Sequence, residues 1–364
     1  MSPQKAILFV ATAGSHIYHF MLPFMQMMAD RGYAVDVLTS KDHTHHKLMA
    51  SSCIRSFYPL DLSRNPLHIK NIRAYRYMKR LLQKNAYSII HTNSPVSSFY
   101  IRLAARKLTD TKMIYMAHGF HFFRGAPLKN WLLYFPAEWL ASHFTNEIIT
   151  INHEDYLVAK RHFKSCPVHY VQGTGLDLDT YHAAPKEEDA PLTLLCVGEF
   201  TKRKNHKQII KALPLITDMI EDARIWFVGI GPQFTPCKEL ARELGVLDHT
   251  YWLGFRYDVP ELLNQADVVV LASYHEGVPR CLLEAMACKK PIVATDARGS
   301  RELVADGENG YLVKCDDVEG FAKACVRVLN ADMEAMGQKS YEMVQPYDVS
   351  IVKERILKIY GVAP

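Results

Sequence analysis

The sequence predicts an α/β protein made of two doubly wound domains, each a parallel sheet covered by helices on both faces. Three observations carry this. Short β-rich apolar runs alternate with longer helical patterns along the chain, several of the runs are continuously apolar, and a polar, proline-flanked stretch divides them into two series. A continuously apolar strand is one buried on both faces, as in a parallel sheet between helix layers. Length agrees, because 364 residues is about twice an ordinary domain.

Taken in order, the strands expected in the first series are 6–11, 34–39, 88–92, 112–117, 147–151 and 168–171. Those of the second are 192–197, 224–228, 250–253, 267–272, 292–295 and 311–313. Between them lies 181–191, Tyr-His-Ala-Ala-Pro-Lys-Glu-Glu-Asp-Ala-Pro, which has no apolar period and reads as an interdomain linker. In open α/β sheets ligands bind beyond the C-terminal strand ends, so both domains are expected to turn those ends to a central cleft.

Charge divides at the same place. Residues 1–183 hold 21 Lys and Arg against 11 Asp and Glu, together with 14 of the 17 histidines; the remainder holds 22 basic and 27 acidic residues. Two units meeting different partners are expected. The eight cysteines form no C-x-x-C pair, which points to reduced, mostly buried thiols and a cytoplasmic protein. The apolar run after Lys5 is short and leads into Gly14-Ser15-His16, unlike a cleaved signal. No stretch approaches the ~18–20 apolar residues that span a bilayer, so the chain is expected to be soluble or peripheral at the inner face of the plasma membrane.

The most informative segment runs from Asp267 to Ala287. An apolar strand ends near Ala272, a polar loop carries Ser273, His275 and Glu276, and Pro279 stands where a helix is expected to begin, at its first position. The unpaired N–H groups and dipole of a helix start favour an anion. Glu276 lies in the loop and Glu284 in the helix, so the two carboxylates bracket a ligand along the helix start. Carboxylates beside an anion site suit hydroxyl donors such as sugars and ribose, each charge-assisted bond contributing ~1.5–3 kcal/mol. Either glutamate alone also fits an ordinary surface or capping role.

Glu276-Gly277-Val278-Pro279-x4-Glu284 resembles the Glu-x7-Glu signature of the family 4 retaining glycosyltransferases, which have the two-domain GT-B fold. The resemblance extends over nearly the whole chain. Val197-Gly198-Glu199-Phe200-x3-Lys204-Asn205 is similar to the family's glycine-rich strand end with its phosphate-contacting lysine. Val228-Gly229-Ile-Gly231-Pro232 resembles its second glycine turn, and Leu253-Gly254-Phe255-Arg256-x-Asp258-Val259 the segment whose backbone reads the base. Gly307-x2-Gly310-Tyr-Leu-Val follows in register. Ala117-His118-Gly119-Phe120-His121 and Asn205-His206 look most like the branch that builds capsular and exopolysaccharide repeats. One position departs: the family usually has an arginine after the first glycine, and here it is Glu199. The diphosphate charge then falls to Arg203 and Lys204 in the same loop, otherwise a solvated basic loop.

The resemblance implies a metal-independent, retaining, hexosyl-type transferase without a cofactor. It would move a sugar from a nucleotide sugar, expected to be a UDP-sugar, to a lipid-linked saccharide acceptor. The second domain, 184–346, would bind the donor and the first, 1–183, the acceptor, with a helix over about 347–364 packed back on the first. Glu284 would accept from the ribose hydroxyls and Glu276 from the transferred sugar. Lys204, Arg203 and the helix start at Gly277, Val278 and Pro279 would hold the diphosphate. Gly14, Gly198, Gly229, Gly254, Phe255 and Arg256 would complete the donor site. His118, after the fourth strand, would orient the donor sugar, with His16 and His19 on the acceptor side.

Other features are read more plainly. Ala11-Thr12-Ala13-Gly14-Ser15-His16, joining the first strand to a helix, is a close-approach loop, not a dinucleotide fingerprint. His43-x-His45-His46 lacks further ligands at metal spacing and reads as a solvated helix end. Residues 64–84 hold seven basic and no acidic side chains, either a charged helix face or an attraction to an anionic leaflet. An aromatic helix from Trp131 to Leu140 belongs to the core or to a membrane interface. No nucleic-acid module is present, so none is expected as partner. Two other functions fit the residues: a nucleotide-sugar epimerase of the same fold, and a non-catalytic subunit that binds nucleotide sugar or lipid.

Overall fold

The computed structural model describes residues 4–187 and 190–363. Glu188 and Asp189 of the expected linker lie outside the described residues. The chain divides into two compact units, residues 1–175 with 349–364, and residues 176–348.

The first unit is built on seven parallel strands: β1 (Ala6–Val10), β2 (Ala34–Thr39), β3 (Ser56–Pro59), β4 (Ile89–Asn93), β5 (Lys112–Ala117), β6 (Glu147–Thr150) and β7 (Val168–Tyr170), in the order β3-β2-β1-β4-β5-β6-β7. Ala6 faces Ala34 on one side of β1, and Ile7 faces Ile89 on the other. Every residue of β1, β2 and β4 is buried; β1 reads as a continuous apolar run for that reason, whereas β2 buries Asp36, held by Arg55 and Tyr87, and β4 ends in His91-Thr92-Asn93. The edge strand β3 was not expected from the sequence. Its four residues, Ser-Phe-Tyr-Pro, are half-buried or exposed and show no period, and Pro59 is tolerated because the strand lies at an edge.

The helices of this unit are α1 (Gly14–His16), α2 (Leu22–Asp30), α3 (His45–Met49), α4 (Lys70–Lys84), α5 (Pro95–Ala105), α6 (Leu128–Ser142) and α7 (His153–His162). The Asn152 side chain caps α7 by accepting from Asp155 N, with acids in its first turn and bases in its last, as its dipole favours. Buried Arg102 on α5 pairs with Glu138 on α6 at 2.5 Å, and Tyr115 Oη donates to the same carboxylate. Removing one member of such a pair costs about 3–5 kcal/mol, so α6 is firmly registered.

The second unit has six parallel strands: β8 (Thr193–Val197), β9 (Arg224–Val228), β10 (Thr250–Gly254), β11 (Val268–Leu271), β12 (Ile292–Thr295) and β13 (Gly310–Val313), in the order β10-β9-β8-β11-β12-β13. Its helices are α8 (His206–Thr217), α9 (Phe234–Glu243), α10 (Val259–Gln265), α11 (Arg280–Ala287), α12 (Val318–Leu329) and α13 (Met333–Val344). The last helix, α14 (Val349–Tyr360), belongs to the first unit: it packs on α2, Tyr360 Oη meets His91, and Lys112 donates to Ile359 O.

The units divide at 175/176, earlier than the expected 183/184. Leu176 is buried in the second core and its N–H donates to Tyr347 O. Ala184 N donates to Asn264, and Lys186 pairs with Asp267, so part of the expected linker is fastened to the second unit.

Strand order reverses between β1 and β4 in one sheet and between β8 and β11 in the other. A crevice opens beyond the C-terminal strand ends at such a reversal, and it is the default ligand site of an open α/β sheet.

Candidate active site

In the second unit the reversal brings the loops after β8 and β11 together. Gly198 follows β8, and a Cβ there would stand 3.4 Å from Lys204 Cε, so the lysine stem lies over a bare backbone. Gly229 has φ +134 and its Cβ would meet Gly198 O at 2.1 Å, while Gly229 N donates to Gly254 O. Only glycine lets the ends of β8 and β9 approach this closely. Buried Phe200 stacks on His206 at 3.9 Å and anchors the turn that carries Arg203 and Lys204.

Glu276 enters from the loop after β11. Its Oε1 is 2.7 Å from Lys204 Nζ and accepts from Ser273 Oγ at 2.8 Å, and its Oε2 is 2.5 Å from Arg203 Nη1. The loop is held at both ends of Glu276, whose N–H donates to Arg298 O and whose carbonyl accepts from Arg298 Nε. Burial alone would raise the carboxyl pKa, but the Lys204 and Arg203 charges outweigh it and bring Glu276 down to about 2. Lys204, which burial would lower, is held above the usual lysine value by Glu276. The site is therefore a charged cluster sealed from most solvent, where electrostatic interactions are stronger than in water.

Glu284 lies deeper on α11, where Arg280 Nε donates to it at 3.0 Å and Tyr181 Oη, from the segment before β8 in the same unit, donates to it as well. Burial dominates here, and its pKa is raised. Two carboxylates eight positions apart are thus driven in opposite directions, the pattern of groups with separate tasks. Pro279 is the N-cap of α11, one residue before the first-turn position expected, and its carbonyl accepts from Leu282 N and Leu283 N. Val278 packs on the core beneath, and the Gly277 carbonyl lies against Gly299, where a Cβ would stand only 2.6 Å away.

Not every expected donor residue gathers here. Phe255 is exposed, and Arg256 pairs with Asp258 and lines a groove with Trp226, Tyr251 and Leu253, which none of the other expected donor residues lines. Residues that sequence reasoning missed do take part. Asp316, with φ +64, accepts from Asn205 Nδ2 at 3.1 Å and from Tyr274 Oη at 2.7 Å, and Tyr274 N donates to Arg203 O. Asp316 thereby pins the cationic turn to the end of β13. Asn205 is also left-handed, at φ +48, and a short polar residue standing directly after Lys204 was the one available signal.

In the first unit the reversal lies between β1 and β4. Gly14 opens α1, and a Cβ there would stand 2.9 Å from Asp42 Oδ1. Asp42 accepts from Ser15 N at 2.7 Å and from Thr44, and is held near pKa 2. His16 Nε2 is 3.1 Å from His118 Nε2, which is 2.8 Å from Asn93 Oδ1. Because Asn93 Oδ1 only accepts, the network assigns the proton to His118 Nε2 and leaves His16 Nε2 an acceptor. Burial and neighbouring histidines lower His118 well below its ordinary value; burial, then His19, brings His16 to about 4. Both rings are neutral at pH 7. His16, His19 and His121 line a cavity of about 380 Å³ with Phe20, Arg64 and Tyr134; His118 stands behind His16.

His45, of the His43–His46 cluster, packs against Phe57, and among the described residues no three His, Cys, Asp or Glu side chains gather as metal ligands. All eight cysteines are free. Among the described residues no helix is long and apolar enough to cross a membrane.

Two doubly wound units, with a lysine–arginine–glutamate cluster at the second reversal, define a GT-B glycosyltransferase. The Glycosyl transferase 4-like model matches residues 6–152 and the Glycosyl transferases group 1 model residues 177–343. EpsD of Bacillus subtilis, described as a glycosyltransferase, is 33% identical over 98% of this chain and 96% of its own length. The UDP-Gal:alpha-D-GlcNAc-diphosphoundecaprenol alpha-1,3-galactosyltransferase of Escherichia coli is 28% identical over 76% of this chain and 75% of its own. Among solved structures, Anabaena HepE in complex with UDP and glucose superposes with a TM-score of 0.81 at 18% identity, covering 98% of this chain and 99% of that one. The chain belongs to the family 4 glycosyltransferases and has their GT-B fold.

Proposed function

We propose that the chain is a retaining transferase that moves a hexose from a UDP-sugar to a diphosphate-lipid-linked saccharide during bacterial exopolysaccharide or capsule assembly. The observation that carries this is the pairing of Lys204 and Arg203 with Glu276 at the strand reversal of the second unit. The Escherichia coli relative is named for UDP-Gal and a diphosphoundecaprenol acceptor, and HepE was solved with UDP, which supports both substrate classes.

In this reading Lys204 and Arg203 neutralise the diphosphate as the anomeric C–O bond breaks, the main catalytic term expected of preorganised charge. Glu276 then accepts from the hydroxyls of the transferred sugar and Glu284 from the ribose. His118 orients the sugar. The acceptor oxygen attacks on the face the diphosphate leaves, its proton passes to the departing phosphate oxygen, and UDP is the second product. With two cations already in place, transfer persists in EDTA.

An inner-leaflet address fits the first unit. Arg73, Arg76, Lys79, Arg80 and Lys84 are exposed along α4, and Leu132, Trp139 and Leu140 are exposed on α6. A mass-spectrometric screen of UDP-sugars against polyprenyl-diphosphate-linked sugars tests the proposal, with the anomeric configuration of the product read by NMR. Formation of an α-linked product from an α-linked donor supports it. Donor binding without turnover on any acceptor favours the non-catalytic reading that Glu199 permits, and interconversion of donor alone favours an epimerase.

A further inference from the structure

We infer that the cavity of the first unit is a phosphate subsite for an amphiphilic acceptor, with the Arg64 guanidinium as its anion ligand. The inference rests on the proposed transfer to a lipid-linked acceptor and adds which residue grips the acceptor's phosphate. At about 380 Å³ the cavity lies within the ~300–1,000 Å³ range of small-molecule sites, and it opens at the strand reversal, between Thr12 after β1 and Ser94 after β4.

Its lining contains no carboxylate. Arg64 has no hydrogen-bond or ion-pair partner among the described residues; Asp42 holds Ser15 and Thr44, and Asp61, exposed, lies 3.9 Å from Lys70. A guanidinium on a cavity wall without a counter-charge suits a phosphate, which it grips with two parallel N–H donors. Opposite chemistry stands beside it. His121 stacks on Tyr134 at 4.3 Å, an aromatic wall suited to the face of a sugar ring.

The chain beside Arg64 fits an amphiphile: Leu67 and Ile69, which follow the arginine, are 79% and 76% exposed. An apolar tail that covers Leu67 and Ile69 gains ~25 cal/mol per Å² of apolar surface removed from water.

The test uses the full chain and farnesyl diphosphate, titrated by calorimetry with and without excess UDP. Wild type binds it, and Arg64→Ala weakens binding at least tenfold with Arg64→Lys intermediate, while UDP affinity stays within twofold. Arg64 is exposed and unpartnered, so the variants keep the wild-type melting temperature. Absence of binding to wild type, equal binding by Arg64→Ala, or displacement by UDP overturns the inference. So does a result in which Arg64→Ala lowers partition onto phosphatidylglycerol vesicles but leaves farnesyl diphosphate unchanged, since the arginine is then a headgroup contact of the bilayer. Loss of UDP binding by wild type is a separate outcome that strikes the donor assignment instead.

Discussion

Lys204 Nζ and Glu276 Oε1 lie 2.7 Å apart, their side chains only 11% and 10% exposed, although they stand 72 positions apart in the chain. Each fixes the other's charge: the ammonium holds the carboxyl near pKa 2, and the carboxylate holds the buried lysine protonated. A diphosphate that reaches Lys204 and Arg203 therefore meets an acid already bound to both. In the proposed reading donor binding is an exchange of anions, and the carboxylate it releases is the group that meets the sugar.

Lys204→Ala removes the better-buried cation. Hydrogen bonds to charged groups contribute about 1.5–3 kcal/mol, so UDP affinity should fall roughly 10- to 100-fold by calorimetry. The turnover number should fall by about 10²–10³, as when one preorganised donor of a developing anion is lost.

Glu276→Gln separates binding from chemistry. Removing the resident carboxylate should tighten UDP and lower transfer by at least tenfold, whereas a purely structural role would weaken both. Glu276 also marks acid stability. Its folded pKa of about 2 lies below the ordinary carboxyl value near 4.5, so its contribution is complete above about pH 4.5 and is lost as pH falls towards 2. Urea melts at pH 5 and pH 3 should show a smaller acid loss for the glutamine variant.

Glu284→Gln and Tyr181→Phe test the proposed ribose contact of Glu284, to which Tyr181 donates. A site that pairs with a hydroxyl rejects the analogue lacking it, because a buried polar group is then left unpaired. Wild type should prefer UDP over 2′-deoxy-UDP, and both variants should shrink that preference.

The buried histidines set a further pH dependence. His91 and His206 are lowered to about 3 and His16 to about 4, burial being the first cause for each. Between the unfolded value near 6.5 and these values the unfolded chain binds protons that the folded chain excludes. Stability therefore falls as pH falls from about 6.5 towards 4, by up to ~1.4 kcal/mol per pH unit per histidine. His206→Phe isolates one share. Both ring nitrogens of His206 lack partners, and its ring already stacks on Phe200. The variant should be about 1 kcal/mol more stable at pH 7 and lose less stability at pH 5.

Much of the fold was legible because a parallel strand between helix layers is mostly apolar on both faces, and β1 and β11 carry that in unbroken runs, β2 and β12 in runs broken only by Asp36 and by terminal threonines. β3 was not, since a short half-exposed edge strand leaves no periodic mark. At the site, Lys204 and Glu276 were brought to one ligand by resemblance alone, and no spacing in the chain encodes their ion pair. The hold of Asp316 on Asn205, of Tyr181 on Glu284 and of His16 on His118 was illegible for the same reason. These contacts join residues of separate elements, and only the packing of the sheets decides that they meet.

The proposed reaction requires that the second unit bind a nucleoside diphosphate. A crystal of the full chain grown with UDP tests it most directly. The β-phosphate should contact Lys204 and Arg203, the ribose should reach Glu284, and Glu276 should have left the lysine. UDP absent from the second unit, or bound with Lys204 and Glu276 still joined and the phosphates elsewhere, would contradict it.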